Sequence, residues 1–315
     1  MIVQPFSFMS GSAGGDPVVP QSNLIIDIDA AKGVWQTSTY NSGSNSYTGS
    51  NAVSSDGDVV AQIDNQASYT VQVSNQVPAM VQGSAGVRPT WESGDSVANG
   101  KPYIYFDAAD TEYMFFGSSS FALREVMNST IYIVAQAEND QGGNGGYMWQ
   151  TATYWYNDDG FTNSLDESNG NPSDYTTYCG DNGFADVCEL VNSDYDPSSK
   201  LIVYSFAFKT VDSNGDLLDD GDMLVDNRMF WLSLSSPASK NVLSNIGGYG
   251  NGFNNNNWAS TSNSKPFGSQ RSSTSGSPTS SLAYDGRIYR MLQYDTYHDD
   301  TAQEAVMDDL KTIYG

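Results

Sequence analysis

Three groups of residues carry types and spacings that could do chemistry. The first is acidic. Asp212-Ser213-Asn214-Gly215-Asp216 is followed by Asp222, which sets oxygen donors at alternate positions around a glycine, a pattern that suits calcium. The bidentate glutamate that closes an EF-hand loop is missing, and Asp-Asn-Gly clusters are equally the chemistry of hairpin turns, so the plain turn is the leading reading. Asp107 and Asp110 form a second candidate cation site. The alternative is that Asp107 caps a strand end through local backbone hydrogen bonds.

The second group is aromatic. Tyr154-Trp155-Tyr156 forms one cluster, and Tyr249 and Trp258 flank Asn254-Asn255-Asn256-Asn257. Rings beside amides can stack on sugar faces while the amides bond the hydroxyls, and such rings also anchor protein interfaces. The alternative is that they cover loop and sandwich edges. The third group is Phe6, Phe8 and Met9, which precede Gly-rich and Pro-rich sequence ending at Pro20. Residues 1–22 therefore read either as a plain disordered leader or as a flexible arm whose aromatic tip docks onto a partner or onto sibling copies.

Composition narrows the classes. The 315-residue chain carries 13 basic and 37 acidic residues, a net charge of −24. No basic stripe is available for phosphate backbones, so nucleic acid is excluded as a partner, and an anionic membrane surface would repel the chain. Only 16% of residues are charged and 38% are hydrophobic; the polarity comes from Ser, Asn, Gly and Tyr, which is the palette of short strands joined by polar loops. No segment approaches the ~20 apolar residues of a membrane helix. The start, Met1 to Phe8, lacks the basic and apolar regions of a secretory signal. The expectation is synthesis in a cytoplasm and export by another route. Cys179 and Cys188 read as a disulfide or an unreactive pair, because two cysteines and the distant His298 cannot fill a tetrahedral zinc site.

The elements that must position these groups are mostly strands. Tyr103 to Phe106 and Glu112 to Phe116 are β-prone runs, as are Thr130 to Ala137 and Lys200 to Lys209, the two candidates for central strands. Tyr69, Val71 and Val73 alternate with Thr70 and Gln72. Residues 140–198 change character and read as long loops or an extra hairpin, and Asn254 to Ser281 as a long surface loop. One closing helix starts near Asp299 to Thr301, with a capping box from Asp300 and Gln303 or from Thr301 and Glu304. Its apolar stripe is Ala302, Val306, Leu310 and Ile313.

An ordered set of phrases carries a resemblance. Asp29-Ala30 ends the first strand; Gln62-Ile63-Asp64-Asn65-Gln66 follows at a degraded position. Then come Arg88-Pro89-Thr90-Trp91, Asn99-Gly100-Lys101-Pro102-Tyr103-Ile104-Tyr105-Phe106-Asp107, and Asp110-Thr111-Glu112-Tyr113-Met114. The hairpin-like Asp222 to Asn227, Ile246-Gly247-Gly248 and Tyr284 to Tyr294 complete it. Together they resemble the concanavalin A-like, laminin-G-like jelly-roll domains of bacteriophage and secreted bacterial surface proteins. The resemblance implies an all-β, two-sheet jelly-roll sandwich over residues 23–315, elaborated at about 140–198, with the N-terminal arm and one short C-terminal helix.

It also implies a function. The leading expectation is a bacteriophage virion surface protein: a capsid decoration, fibre or tail-associated component, present in many copies and held by the arm to other virion proteins or to its own copies. The alternative is a lectin-like adhesin for host surface glycans, assisted by calcium. Sandwich glucanases of this type carry a Glu-x-Asp-x-Glu phrase that sets two carboxylates about 5–5.5 Å apart, and this chain has none. Asp107, Asp110 and Glu112 are mis-spaced for one strand face, Asp166-Glu167 sits in a Ser-Asn-Gly loop, and no nucleophile elbow accompanies His298. The expectation is therefore a protein that is not an enzyme and has no catalytic residue, with a glycoside hydrolase using an unfamiliar acid pair as the least favoured alternative.

Overall fold

The computed structural model describes residues 19–42, 46–67, 79–116, 128–137, 146–150, 160–166, 174–180, 187–191, 201–209, 214, 228–234, 239–243, 266–271 and 278–315. In chain order the strands begin β1 (Leu24–Asp29), β2 (Val34–Asn41), β3 (Ser46–Ala52), β4 (Asp58–Val59), β5 (Gln62–Ile63), β6 (Met80–Val81), β7 (Thr90–Asp95), β8 (Lys101–Phe106), β9 (Met114–Phe116) and β10 (Asn128–Ala137). They continue β11 (Gly146–Gln150), β12 (Gly160–Asp166), β13 (Asp174–Gly180), β14 (Val187–Val191), β15 (Ile202–Lys209), β16 (Arg228–Ser233) and β17 (Ser239–Leu243). The last are β18 (Pro266–Phe267), β19 (Ser269–Arg271), β20 (Pro278–Ala283) and β21 (Gly286–Tyr294), before helix α1 (Asp300–Tyr314).

These strands form two sheets. The first runs β17-β16-β15-β10-β21-β8-β7-β4, with β1 also paired to β21; the second runs β14-β13-β12-β11-β18-β9-β6-β5-β2-β3, with β19 and β20 attached at β11. Pairing is antiparallel except for the contact of β11 with β20. This is the all-β sandwich expected from the sequence, and the two runs read as central strands, β10 and β15, pair with each other at the middle of the first sheet.

Alternation explains the layers. Ile131, Ile133 and Ala135 of β10, with Ile202, Tyr204 and Phe206 of β15, face the second sheet, where Val34, Ile63, Met80, Met114 and Phe267 meet them in one buried cluster. The intervening Tyr132, Val134 and Val203 turn the other way and are covered by Val306, Met307, Leu310, Ile313 and Tyr314 of α1. The helix is thus a third layer that caps half of the first sheet's outer face. Asp299 caps it by accepting from Ala302 N–H at 2.9 Å. Neither sequence-proposed capping box is used. Gln303 instead lies buried, accepting from Ser205 Oγ at 2.7 Å and donating to the His298 carbonyl.

One buried ion pair ties this layer to the start of the chain. Arg290 donates to both carboxylate oxygens of Asp27, each at 2.8 Å. Arg290 stands opposite Val134 of β10, next to a bulge at Tyr289 of β21, which has no partner between Arg290 and Ile288. The phrases that carried the resemblance also meet here. The Trp91 indole N–H donates to the Ala30 carbonyl at 2.9 Å, so the Asp-Ala element and the Arg-Pro-Thr-Trp phrase lock one corner of the sandwich.

Two sequence readings change. Residues 140–198 supply β11 to β14, consecutive antiparallel strands that widen the second sheet, where loops or a single hairpin were expected. Part of Asn254 to Ser281, read as one loop, supplies β18, β19 and the start of β20. Its strands are too short for a periodic pattern to register. The run Tyr69 to Val73, the hairpin phrase Asp222 to Asn227 and the Ile246-Gly247-Gly248 phrase lie outside the described residues.

Candidate functional site

The outer face of the first sheet is only half covered by α1. At the other end, strand register builds an open row. Gln136 stands opposite Arg287, Arg287 opposite Tyr105, Tyr105 opposite Thr90, and Thr90 opposite Val59. Directly opposed residues share a face. This one is turned away from the core, because the intervening Ile104 and Phe106 are buried between the sheets. In the neighbouring row Tyr103 stands opposite Glu92. Val59 is 41% exposed, and the other residues are partly open to solvent.

The side chains are held in place by one another. The Arg287 guanidinium carbon lies 5.0 Å from the Tyr103 ring centre, within cation–π range. The Tyr105 hydroxyl donates to Asp285 Oδ1 at 3.2 Å. Tyr103 lies 5.5 Å from the Tyr289 ring, which lies 6.0 Å from Tyr314 at the end of α1, so an aromatic ladder runs from the open face to beneath the helix. The Glu92 carboxyl is held above the usual carboxylate range, chiefly by burial and then by the charge of Asp56; the Gly57 N–H and Arg287 act against the shift. At the inner end of the row, Gln136 Oε1 is shielded from solvent and has no hydrogen-bond partner.

Ring faces, a guanidinium, carboxylates and an amide share this side of the sheet, the kinds of group that can meet a polyhydroxylated ligand. Apolar sugar C–H faces can lie on tyrosine rings, and hydroxyls can pair with the charged and amide groups, where charge assistance strengthens each bond. The sequence reading treated Tyr103 and Tyr105 only as strand formers. The usable signal was the alternation of Tyr103 and Tyr105 with the buried Ile104 and Phe106, which points both tyrosines outward.

A second carboxyl is unusual. Glu112 lies in the turn from β8 to β9 and is 8% exposed. Its Oε2 accepts from Asp107 N–H at 2.8 Å, and burial pushes its carboxyl up to about 7, with Asp107 and Asp110 adding to the rise. Its neighbour Thr111 has φ of 54°, a conformation that costs a β-branched residue energy.

Asp107 and Asp110 both lie in the turn from β8 to β9. Asp107 Oδ1 accepts from Ala109 N–H at 2.8 Å, the local strand-end role. Among the described residues no group of three or more His, Cys, Asp or Glu side chains is gathered to hold a metal. Asn214 is an exposed turn residue; Asp212, Asp216 and Asp222 lie outside the described residues. So do the aromatic candidates Tyr154, Trp155, Tyr156, Tyr249 and Trp258, and the arm residues Phe6, Phe8 and Met9. Cys179 and Cys188 fall on adjacent strands, with Cys188 opposite Thr177, so their backbones stand diagonally rather than face to face. His298 is buried, with Nδ1 2.7 Å from the Tyr132 hydroxyl, and burial lowers its pKa to about 4. Among the described residues no helix is long and apolar enough to cross a membrane.

No family model matches this chain, and no curated protein matches it. Solved structures do. An arabinofuranosidase in complex with arabinofuranosyl-α-1,2-xylobiose superposes with a TM-score of 0.52 at 8% identity, over 92% of this chain and 63% of that one. A GH54 α-L-arabinofuranosidase with a cyclic sulfate inhibitor gives a TM-score of 0.49 at 9% identity, over 93% and 63%. The CBM40 of a Ruminococcus gnavus sialidase gives 0.36 at 11% identity, over 59% and 85%. This chain therefore spans about 63% of the length of the arabinofuranosidases it matches.

The likeness establishes a sandwich fold of the lectin-like jelly-roll kind, and it corrects the expectation that the chain is not an enzyme. The fold it matches over 92% of its length is one that an arabinofuranosidase carries. The missing Glu-x-Asp-x-Glu phrase has no force against this, because sheet register brings together carboxylates that lie far apart in sequence. The structures named here carry no link to a virion.

Proposed function

We propose that this chain engages glycans through the open outer face of its first sheet. The observation that supports this reading is the row of Arg287, Tyr105 and Thr90 beside Tyr103 and Glu92, partly open to solvent on one face of the sheet. The likeness to an arabinofuranosidase favours the same class of ligand. Titration of the full-length protein with soluble polysaccharides, with and without calcium, tests it. Tyr105→Ala and Arg287→Ala are expected each to weaken binding about tenfold or more without loss of the fold. Binding lost on chelation would instead bring the calcium-assisted adhesin forward.

A second reading, glycoside hydrolysis, is favoured by the likeness to an arabinofuranosidase fold and by the place of the Glu92 carboxyl opposite Tyr103 on this face. Release of reducing ends from arabinan and arabinoxylan, abolished in Glu92→Gln with binding retained, would establish it. Display on a bacteriophage particle through residues 1–22 rests on the sequence resemblance alone and is kept as a proposal with its own test.

A further inference from the structure

We infer that the β2–β3 hairpin is a second glycan contact, one that takes a neutral sugar chain. The inference rests on the glycan reading above but uses a different part of the molecule. From Gly33 to Ser55 no residue is charged, although the whole chain carries −24. An uncharged stretch in so acidic a chain offers nothing to a cationic or anionic partner; it offers hydroxyls and amides.

Near the end of this hairpin Tyr40 and Tyr47 are directly opposed, with ring centroids 5.0 Å apart and planes at 48°. Tyr40 is 51% exposed, among the most open large side chains of the described residues. Thr39 and Thr48, the next opposed pair, are exposed as well. At ~3.4 Å per residue the tyrosine pair lies about 17 Å along the strand from Trp35. Trp35 closes the base by donating from its indole N–H to Asp64 Oδ2 at 2.8 Å. Paired rings at the far end of a firmly rooted, uncharged ribbon form a stacking platform for sugar rings.

The test uses the full-length protein with three variants, Tyr40→Ala, Tyr40→Phe and Tyr105→Ala, titrated with neutral arabinoxylan and with polygalacturonate. Arabinoxylan binding is expected to weaken about fivefold or more in Tyr40→Ala and to be kept in Tyr40→Phe, with unchanged melting temperature in both. Polygalacturonate is expected to bind at least tenfold more weakly than arabinoxylan to the wild type. If Tyr40→Ala binds arabinoxylan like the wild type while Tyr105→Ala does not, the hairpin inference fails and the open face stands. If Tyr40→Phe loses binding along with Tyr40→Ala, ring stacking is wrong. Wild-type protein that binds neither polymer overturns both sites.

Discussion

Two buried titratable groups should give this protein opposing pH dependences. Glu112 has its folded pKa raised from 4.5 to about 7. The folded state therefore binds its proton more tightly, and the stability this contributes is present below about pH 4.5 and lost as pH rises through 7. His298 has its folded pKa lowered from 6.5 to about 4. Its contribution is present above about pH 6.5 and lost as pH falls through 4. Glu112→Gln should raise the melting temperature at pH 8 by several degrees and leave it unchanged at pH 4.5; an equal shift at both values would show that ionisation is not the cause. A geometric prediction stands beside this one. Gly268 has φ of 86°, and a Cβ there would lie 2.3 Å from the Phe106 ring. Gly268→Ala should cost at least 1–3 kcal/mol through overpacking and backbone strain, measured by denaturant unfolding. Neither effect was legible in the sequence, where Glu112 looked like a strand residue and Gly268 like part of a loop. The clash at Gly268 depends on Phe106, which the other sheet brings alongside, and the rise at Glu112 on burial in a folded turn.

At the scale of elements, more could be read in advance. Strands β10 and β15 and helix α1 were legible because each repeats one period over a long stretch. The capping was not, since Asp299, Asp300 and Thr301 compete and only packing decides. Burial of Gln303 beneath the helix, against Ser205, fixes the start one residue earlier than a capping box at Asp300 requires. Asp299→Ala should therefore destabilise by about 1 kcal/mol, whereas Asp300→Ala should not. The open face was half legible: alternation set Tyr103 and Tyr105 on one side, but Glu92 and Arg287 join them only through the register of β7 and β21. The Asp27–Arg290 pair links residues at opposite ends of the chain. Arg290→Met should cost about 3–5 kcal/mol, because the Asp27 carboxylate would be left buried and alone. A loss under about 1 kcal/mol would mean that Asp27 is not left uncompensated when Arg290 is removed.

The whole molecule sets the conditions for any partner. With a net charge of −24, long-range repulsion disfavours acidic polymers at low salt and fades within a Debye length of about 8 Å at physiological ionic strength. Display on a virion would depend on residues 1–22. Deleting them should leave the sandwich folded and abolish incorporation into particles; normal incorporation of the truncated chain would refute the arm as the attachment. The most direct test of the central claim is titration of wild-type protein, Tyr105→Ala and Arg287→Ala with neutral soluble polysaccharide under one buffer condition. The account predicts saturable wild-type binding that each substitution weakens about tenfold or more at unchanged melting temperature. Saturable binding that both variants retain in full would contradict it and move the glycan contact off the open face of the first sheet.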